Sequence, residues 1–190
     1  DTPLYRAESV AVIGGGNVAM DAARMGYRLK AKKVYCIYRR TRAEMPARIE
    51  EVAHAEEEGV EFRFLQNPTR IIGNEEGRVC AIEVLDYELG EPDESGRRRP
   101  VAKEGTEHQI KVDAVIVALG NDSNPLMAQT TKGLEVTKKG NIIVNEEQGT
   151  SLKGVWAGGD IVLGAATVIL AMGEGRKAAK AINEYLATKA

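Results

Sequence analysis

The sequence predicts an α/β fold: a parallel sheet with an inserted β-meander, followed by a smaller C-terminal segment that needs something to pack on. Three observations carry this expectation. A mostly apolar run, Ser9 to Ile13, ends in three glycines. A helix-period segment follows at once, and a second apolar run, Val34 to Tyr38, comes after it. Short continuous apolar runs bounded by turn residues are typical of strands covered on both faces, as in parallel sheets.

The elements follow in order. From Val18 the apolar residues Val18, Ala22, Met25 and Leu29 recur at helical spacing, with Asp21, Arg24 and Arg28 on the other side. Lys30, Lys32 and Lys33 close the C-terminal end, where cations favour the helix dipole. Pro46 to Glu58 reads as a second helix, with proline in its first turn and Gly59 as its stop. Val60 to Leu65 is a third strand. Arg70 to Gly73, a turn at Asn74 to Gly77, and Val79 to Leu89 then read as a meander. Gly90 to Gly105 mixes Gly, Pro and both charge signs, so it reads as the long tip of a hairpin, with its Arg97-Arg98-Arg99 run expected in a solvated loop. Ala114 to Leu119 returns to a buried strand ending at Gly120, and Asn121 to Pro125 is a linker by composition. Leu134 to Thr137, Asn141 to Val144 and Gly154 to Ala157 are expected as short strands. From Ala165 onward Val168, Met172, Ala179, Ile182 and Leu186 mark a long amphipathic helix.

Composition excludes several classes. With 190 residues, 43% apolar, 28% charged and a net charge of −2, the chain gives no electrostatic reason to expect nucleic acid or an anionic membrane as partner. A cytoplasmic location is expected, because neither a membrane span nor a signal peptide is legible. The two cysteines, Cys36 and Cys80, are too far apart for a Cys-x-x-Cys pair and too few for a four-ligand metal or iron–sulfur site, so both are expected to be core thiols. His54 and His108 read as surface helix and polar loop and take no role, and no catalytic acid, base or nucleophile stands out.

Chemistry concentrates at two places. Gly14-Gly15-Gly16-Asn17-Val18-Ala19 fits the dinucleotide fingerprint in its variant with alanine last, which makes the first half a Rossmann-type parallel sheet. Gly14 permits a tight turn, Gly16 lets backbone approach a pyrophosphate, and Ala19 lets helix pack closely on strand. The pyrophosphate would sit on free N–H groups at the helix start. A site for NAD would carry Asp or Glu at the end of the second strand, roughly 20 residues on. The chain instead reads Arg39-Arg40-Thr41-Arg42. Three forked cations suit a 2′-phosphate, so the cofactor expected is NADP(H), with Arg39, Arg40 and Arg42 as its ligands. The second place is Gly154-Val155-Trp156-Ala157-Gly158-Gly159-Asp160, followed by Ala165-Ala166-Thr167 at a helix start. An Asp at a strand end can accept hydrogen bonds from a ribitol hydroxyl, and the N–H groups of a following helix can stabilise negative charge on a reduced flavin.

Three stretches, Val10 to Arg24, Tyr38 to Ala47 and Gly154 to Arg176, together with Leu89 to Pro100, resemble the two-dinucleotide-binding-domain flavoproteins, among them the small (beta) subunit of NADPH-dependent glutamate synthase. The resemblance implies hydride transfer from NADPH to FAD, with electrons passing on through iron–sulfur clusters to a partner subunit. It implies that Gly159 and Asp160 hold the FAD ribitol, that Ala166 and Thr167 lie near the flavin pyrimidine edge, and that Ala118, Leu119 and Gly120 form the crossing between domains. Asn121 departs from the family, which carries Gln there. The resemblance further implies an NADP(H)-binding domain over 1–122 and the C-terminal return segment of an FAD-binding domain over 123–190, without that domain's N-terminal half. On that reading the 190-residue chain does not retain FAD and is close to inactive alone, and its C-terminal segment could pair in a homodimer. The alternative reading is a non-catalytic NADP(H)-binding module.

Overall fold

The computed structural model describes residues 5–92 and 96–189. The apolar run becomes β1 (Ser9–Ile13), with Val10 to Ile13 all buried. Three glycines turn the chain into α1 (Asn17–Arg28), and β2 (Lys33–Tyr38) lies parallel to β1. The buried face of α1 is not the one expected. Ala19, Met20, Ala23 and Gly26 face the sheet, while Val18 and Met25 are exposed. Close approach selects the small residues: a Cβ on Gly26 would lie 3.1 Å from a Val34 methyl.

A 3-10 turn, Arg42–Glu44, precedes α2 (Ile49–Glu57). The helix begins three residues later than the expected Pro46. Met45, before the proline, is extended, as a residue in that position prefers. The next two N–H groups are taken by the glycine turn, Ala47 donating to the Gly15 carbonyl at 3.1 Å and Arg48 to Asn17 Oδ1 at 2.9 Å. Arg24 clamps α1 to α2 through Glu51 at 2.7 Å and Glu58 at 2.9 Å, and its guanidinium holds the Glu58 carboxyl below the usual carboxylate range.

β3 (Glu61–Phe64) pairs in parallel with β2. Leu65 then takes φ +55°, and the chain leaves for β4 (Gln66–Gly73), β5 (Val79–Pro92), β6 (Arg98–Ala102) and β7 (His108–Lys111) before β8 (Ala114–Val117) rejoins β1. The parallel sheet has the order β3-β2-β1-β8, and β5 is the antiparallel partner of β4, β6 and β7. Alternate residues of β1 serve two cores. Val10 and Val12 pack with Met20, Ala23, Cys36 and Val52, whereas Ala11 and Ile13 pack with Ile37, Ile82, Val84 and Val112. The meander therefore covers the sheet face opposite the helices.

Two expectations need correction in this region. The hairpin expected over Gly90 to Gly105 is present, but its strands run further than a loop-like tip: β5 continues to Pro92 and β6, carrying Arg98 and Arg99, pairs with it, Leu89 opposite Pro100 and Tyr87 opposite Ala102. Residues 93–95 of that stretch lie outside the described residues. Both faces of β6 are largely solvated, so no apolar alternation announces it. His108 likewise belongs to β7 rather than to a loop.

The chain divides into two compact units, Asp1–Leu119 and Gly120–Ala190. In the second, the expected linker leads into α3 (Pro125–Thr130), where the Asn124 side chain caps the Leu126 N–H and proline takes the first helical position. The three expected strands reduce to single antiparallel bridges, Val136 with Ile142, Val144 with Thr150 and Gly149 with Trp156. A short α4 (Asp160–Leu163) follows, then α5 (Val168–Ala187). The expected inner stripe of α5 is mostly exposed at Val168, Met172 and Leu186, and Ala178 is the buried residue. Among the described residues no helix is long and apolar enough to cross a membrane.

The cysteines separate. Cys36 is buried, with its thiol pushed up to about 12 by desolvation, whereas Cys80 is exposed on β5, contrary to the expectation of two core thiols. A thiol reagent at pH 8 is expected to label one cysteine per folded chain and two after denaturation. Cys80→Ser should abolish labelling of the folded protein, and rapid labelling of that variant would contradict the burial of Cys36.

Candidate functional site

The site starts where β1 ends. Gly14 adopts φ +141°, and a Cβ there would lie 2.3 Å from the Ala118 carbonyl oxygen. A Cβ on Gly15 would meet the Tyr38 ring at 2.7 Å. Gly16 differs, since a Cβ there would meet nothing within 4 Å, and it caps α1 with no side chain covering the first turn. The leading N–H groups of a helix have no partner within it, so the start of α1, at Asn17 and Val18, offers donors and the positive dipole end to open space. Asn17 uses its side chain to hold Arg48, which leaves its backbone as the part available to a ligand.

The three arginines at the end of β2 occupy three different situations. Arg39 is exposed, and among the described residues no ion pair engages it. Arg40 is 6% exposed, and its Nε donates to the Arg98 carbonyl at 2.7 Å. Arg42 is exposed and ion-paired with Glu56 of α2. Grouping the three as equivalent is therefore not what the geometry offers. The Thr41 hydroxyl donates to Glu44 Oε2 at 2.6 Å, closing a capping box that the sequence reading did not pick out. That bond, with a smaller contribution from Arg98, holds the Glu44 carboxyl below its ordinary range.

The other residues fall in two places. Ala118 abuts Gly14 from β8's end, its N–H bound to the Ile13 carbonyl at 2.9 Å. Gly120 opens the second unit and is exposed. Within that unit Gly159, at φ +86°, caps α4, and exposed Asp160 is its first residue. Asp160 lines a cavity of about 800 Å³ with Asn121, Asn141, Ile161 and Gly164. Ala166 is exposed, and Thr167 caps α5 by accepting from the Leu170 N–H at 3.4 Å.

Sequence reasoning also passed over one pair and two contacts. Tyr185 and Lys189 stand four apart at the end of α5, with Lys189 Nζ 4.5 Å from the Tyr185 ring centroid, and the ammonium draws the phenol below its usual range. Trp156 packs against that ring edge-on, and neither residue of the pair lines the cavity. The bonds from Arg40 to Arg98 and from Arg48 to Asn17 join positions far apart in the chain, which no local pattern signals.

A buried parallel strand, a glycine turn and an uncapped helix start, set in this sheet order, define the class: an α/β fold of the NAD(P)- and FAD-binding type. The chain belongs to the pyridine nucleotide-disulphide oxidoreductase family, whose profile matches residues 2–183. It is 48% identical to the beta subunit of NADP(+)-dependent formate dehydrogenase from Moorella thermoacetica over 97% of this chain and 26% of that protein. It is 42% identical to the glutamate synthase [NADPH] small chain of Halomonas elongata, over 98% of this chain and 40% of that protein. The thioredoxin reductase of Lactococcus lactis superposes with a TM-score of 0.78 at 19% identity, covering 97% of this chain and 55% of that one, which shows the shared fold. The chain thus spans well under half the length of those two sequence relatives.

The turn makes its own prediction. Gly14→Ala combines a disfavoured φ with a clash against backbone, so it is expected to lower unfolding free energy by at least about 2 kcal/mol. Urea denaturation reads this out, and an unchanged midpoint would show that the Ala118 carbonyl does not abut the turn.

Proposed function

We propose that this chain binds NADP(H) and serves as the NADPH-binding part of a flavin-dependent oxidoreductase of the glutamate synthase small-subunit type. The observation that carries the reading is Arg39, an exposed and uncommitted guanidinium at the end of β2, placed where an NAD site would carry a carboxylate. The open helix start at Gly16, Asn17 and Val18 supports a pyrophosphate position, since backbone N–H groups and the dipole both favour an anion there. Gly14 and Gly15 act indirectly by letting the turn fit between the Ala118 carbonyl and the Tyr38 ring. Arg42, tied to Glu56, would sit at the rim of the phosphate site.

The residues of the second unit fit FAD in chemistry. Asp160, exposed in its cavity, can accept from ribitol hydroxyls, and Ala166 and Thr167 stand at the start of α5, where N–H groups favour negative charge. FAD, when bound, supplies the two-electron acceptor for hydride. For such a transfer the chain's work is to bind and orient rings, which fits a site without a general base. Ala118 and Gly120 take the crossing role. One relative is named as a subunit and another as a small chain, which supports a partner subunit; onward transfer to it through iron–sulfur centres rests on the family resemblance alone.

Titration of NADPH and NADH against wild type and Arg39→Ala tests the cofactor reading. Loss of about 1–3 kcal/mol of NADPH binding is expected, with NADH affinity unchanged. Equal weakening of both nucleotides would remove the 2′-phosphate assignment.

A further inference from the structure

Arg40 shares the strand end with Arg39 yet is turned away from solvent, and its burial has a specific partner. A guanidinium cannot shed its charge and must find acceptors when buried. The Arg98 carbonyl on β6 accepts from Nε at 2.7 Å. That carbonyl is itself held, because the Arg98 side chain folds back across the hairpin, Nη2 donating to the Leu89 carbonyl at 2.6 Å and Nε to the Gly90 carbonyl at 3.1 Å. A second tie runs through the backbone: Leu65 N–H donates to the Arg40 carbonyl at 3.1 Å, and Tyr87 N–H on β5 donates to the Leu65 carbonyl at 2.7 Å. The segment that follows β2 is thus fastened to both strands of the β5–β6 hairpin, on its side chain and on its main chain.

We infer that the β5–β6 hairpin determines nucleotide specificity from outside the βαβ unit, with Arg40 as a positioning residue that locks Arg39 in place to receive the 2′-phosphate. This rests on the NADP(H) reading above and deepens it. Arg98 contributes through its backbone oxygen and its own brace, so the arginine run at 97–99 serves the phosphate site indirectly. The two ties run to Arg40 and Leu65, beside the residue that would meet the phosphate group, so loosening them should affect NADPH and leave NADH, which lacks that phosphate, alone.

Two variants of the 190-residue chain test this. Arg98→Ala removes the brace while keeping the hairpin. The other replaces residues 90–99 by Asn-Gly, a two-residue turn linking Leu89 to Pro100, which already face each other in register. Each is expected to raise the Kd for NADPH by about tenfold, the scale of one charge-assisted hydrogen bond, and to leave the Kd for NADH within about twofold. Adding Arg39→Ala to either should cost far less than it costs the wild type, because both changes remove the same interaction. Unchanged NADPH affinity in both variants, parallel loss of NADPH and NADH, or full additivity with Arg39→Ala would each overturn the inference. Tighter NADPH binding on truncation would do so too, by showing Arg40 to be a phosphate ligand that the hairpin withholds. If Arg39→Ala alone weakens both nucleotides equally, the NADP(H) reading fails instead.

Discussion

Everything in the first unit depends on how closely two strands and a helix converge at one turn. Gly14 lies against the Ala118 carbonyl, Gly15 lies under the Tyr38 ring, and the Gly14 N–H donates to the Ile37 carbonyl at 3.1 Å. Any side chain at the first two positions would push β1 away from β8 or β2. With hydrogen in place of Cβ the sheet closes at this point, and the helix start is set at the edge where the strands end. The third glycine has no packing duty, since it borders open space. The labour is divided: two glycines serve the fold, and the third leaves the start of α1 open to space.

From this corner the structure reaches out to organise its surroundings. The segment after β2 is held to the turn by Ala47 and Arg48, to itself by the Thr41–Glu44 box, and to α2 by the pair between Arg42 and Glu56. The basic segment faces a difficulty, because several like charges close together repel one another. Here two of the three charges meet oxygen acceptors inside the protein, Arg40 on a carbonyl and Arg42 on a carboxylate, which leaves Arg39 as the exposed and uncommitted one. Such distribution reduces repulsion while leaving one guanidinium uncommitted.

How much of this was legible varied with the range of the interaction. β1, β2 and the start of α1 were readable because each is announced by its own residues: apolar runs, a glycine cluster, a helical period. The Thr41–Glu44 capping box was passed over, although Thr-x-x-Glu is a local signature. The orientation of α1 was misjudged because large apolar residues were taken to face inward, while the tight sheet–helix distance admits Ala19, Ala23 and Gly26 and expels Val18 and Met25. The hairpin at Gly90 to Gly105 was expected but the length of its strands was not, because a two-stranded arm wetted on both faces has no core to impose alternation. In the second unit the expected strands shrank to single bridges, since no long neighbour propagates a ladder through them.

By itself the sequence pointed to the nucleotide-binding fold of the family. Glycine freedom, the absence of a carboxylate at the end of the second strand and the presence of arginines there are properties of residues a few positions apart, and they survive without knowledge of the fold. Only the tertiary structure decided which arginine stays available. That choice turns on a carbonyl 58 positions further along the chain, delivered to Arg40 by the way β5 folds back on itself as β6. Burial of a charge is a property of its surroundings, and those are assembled only when distant segments meet.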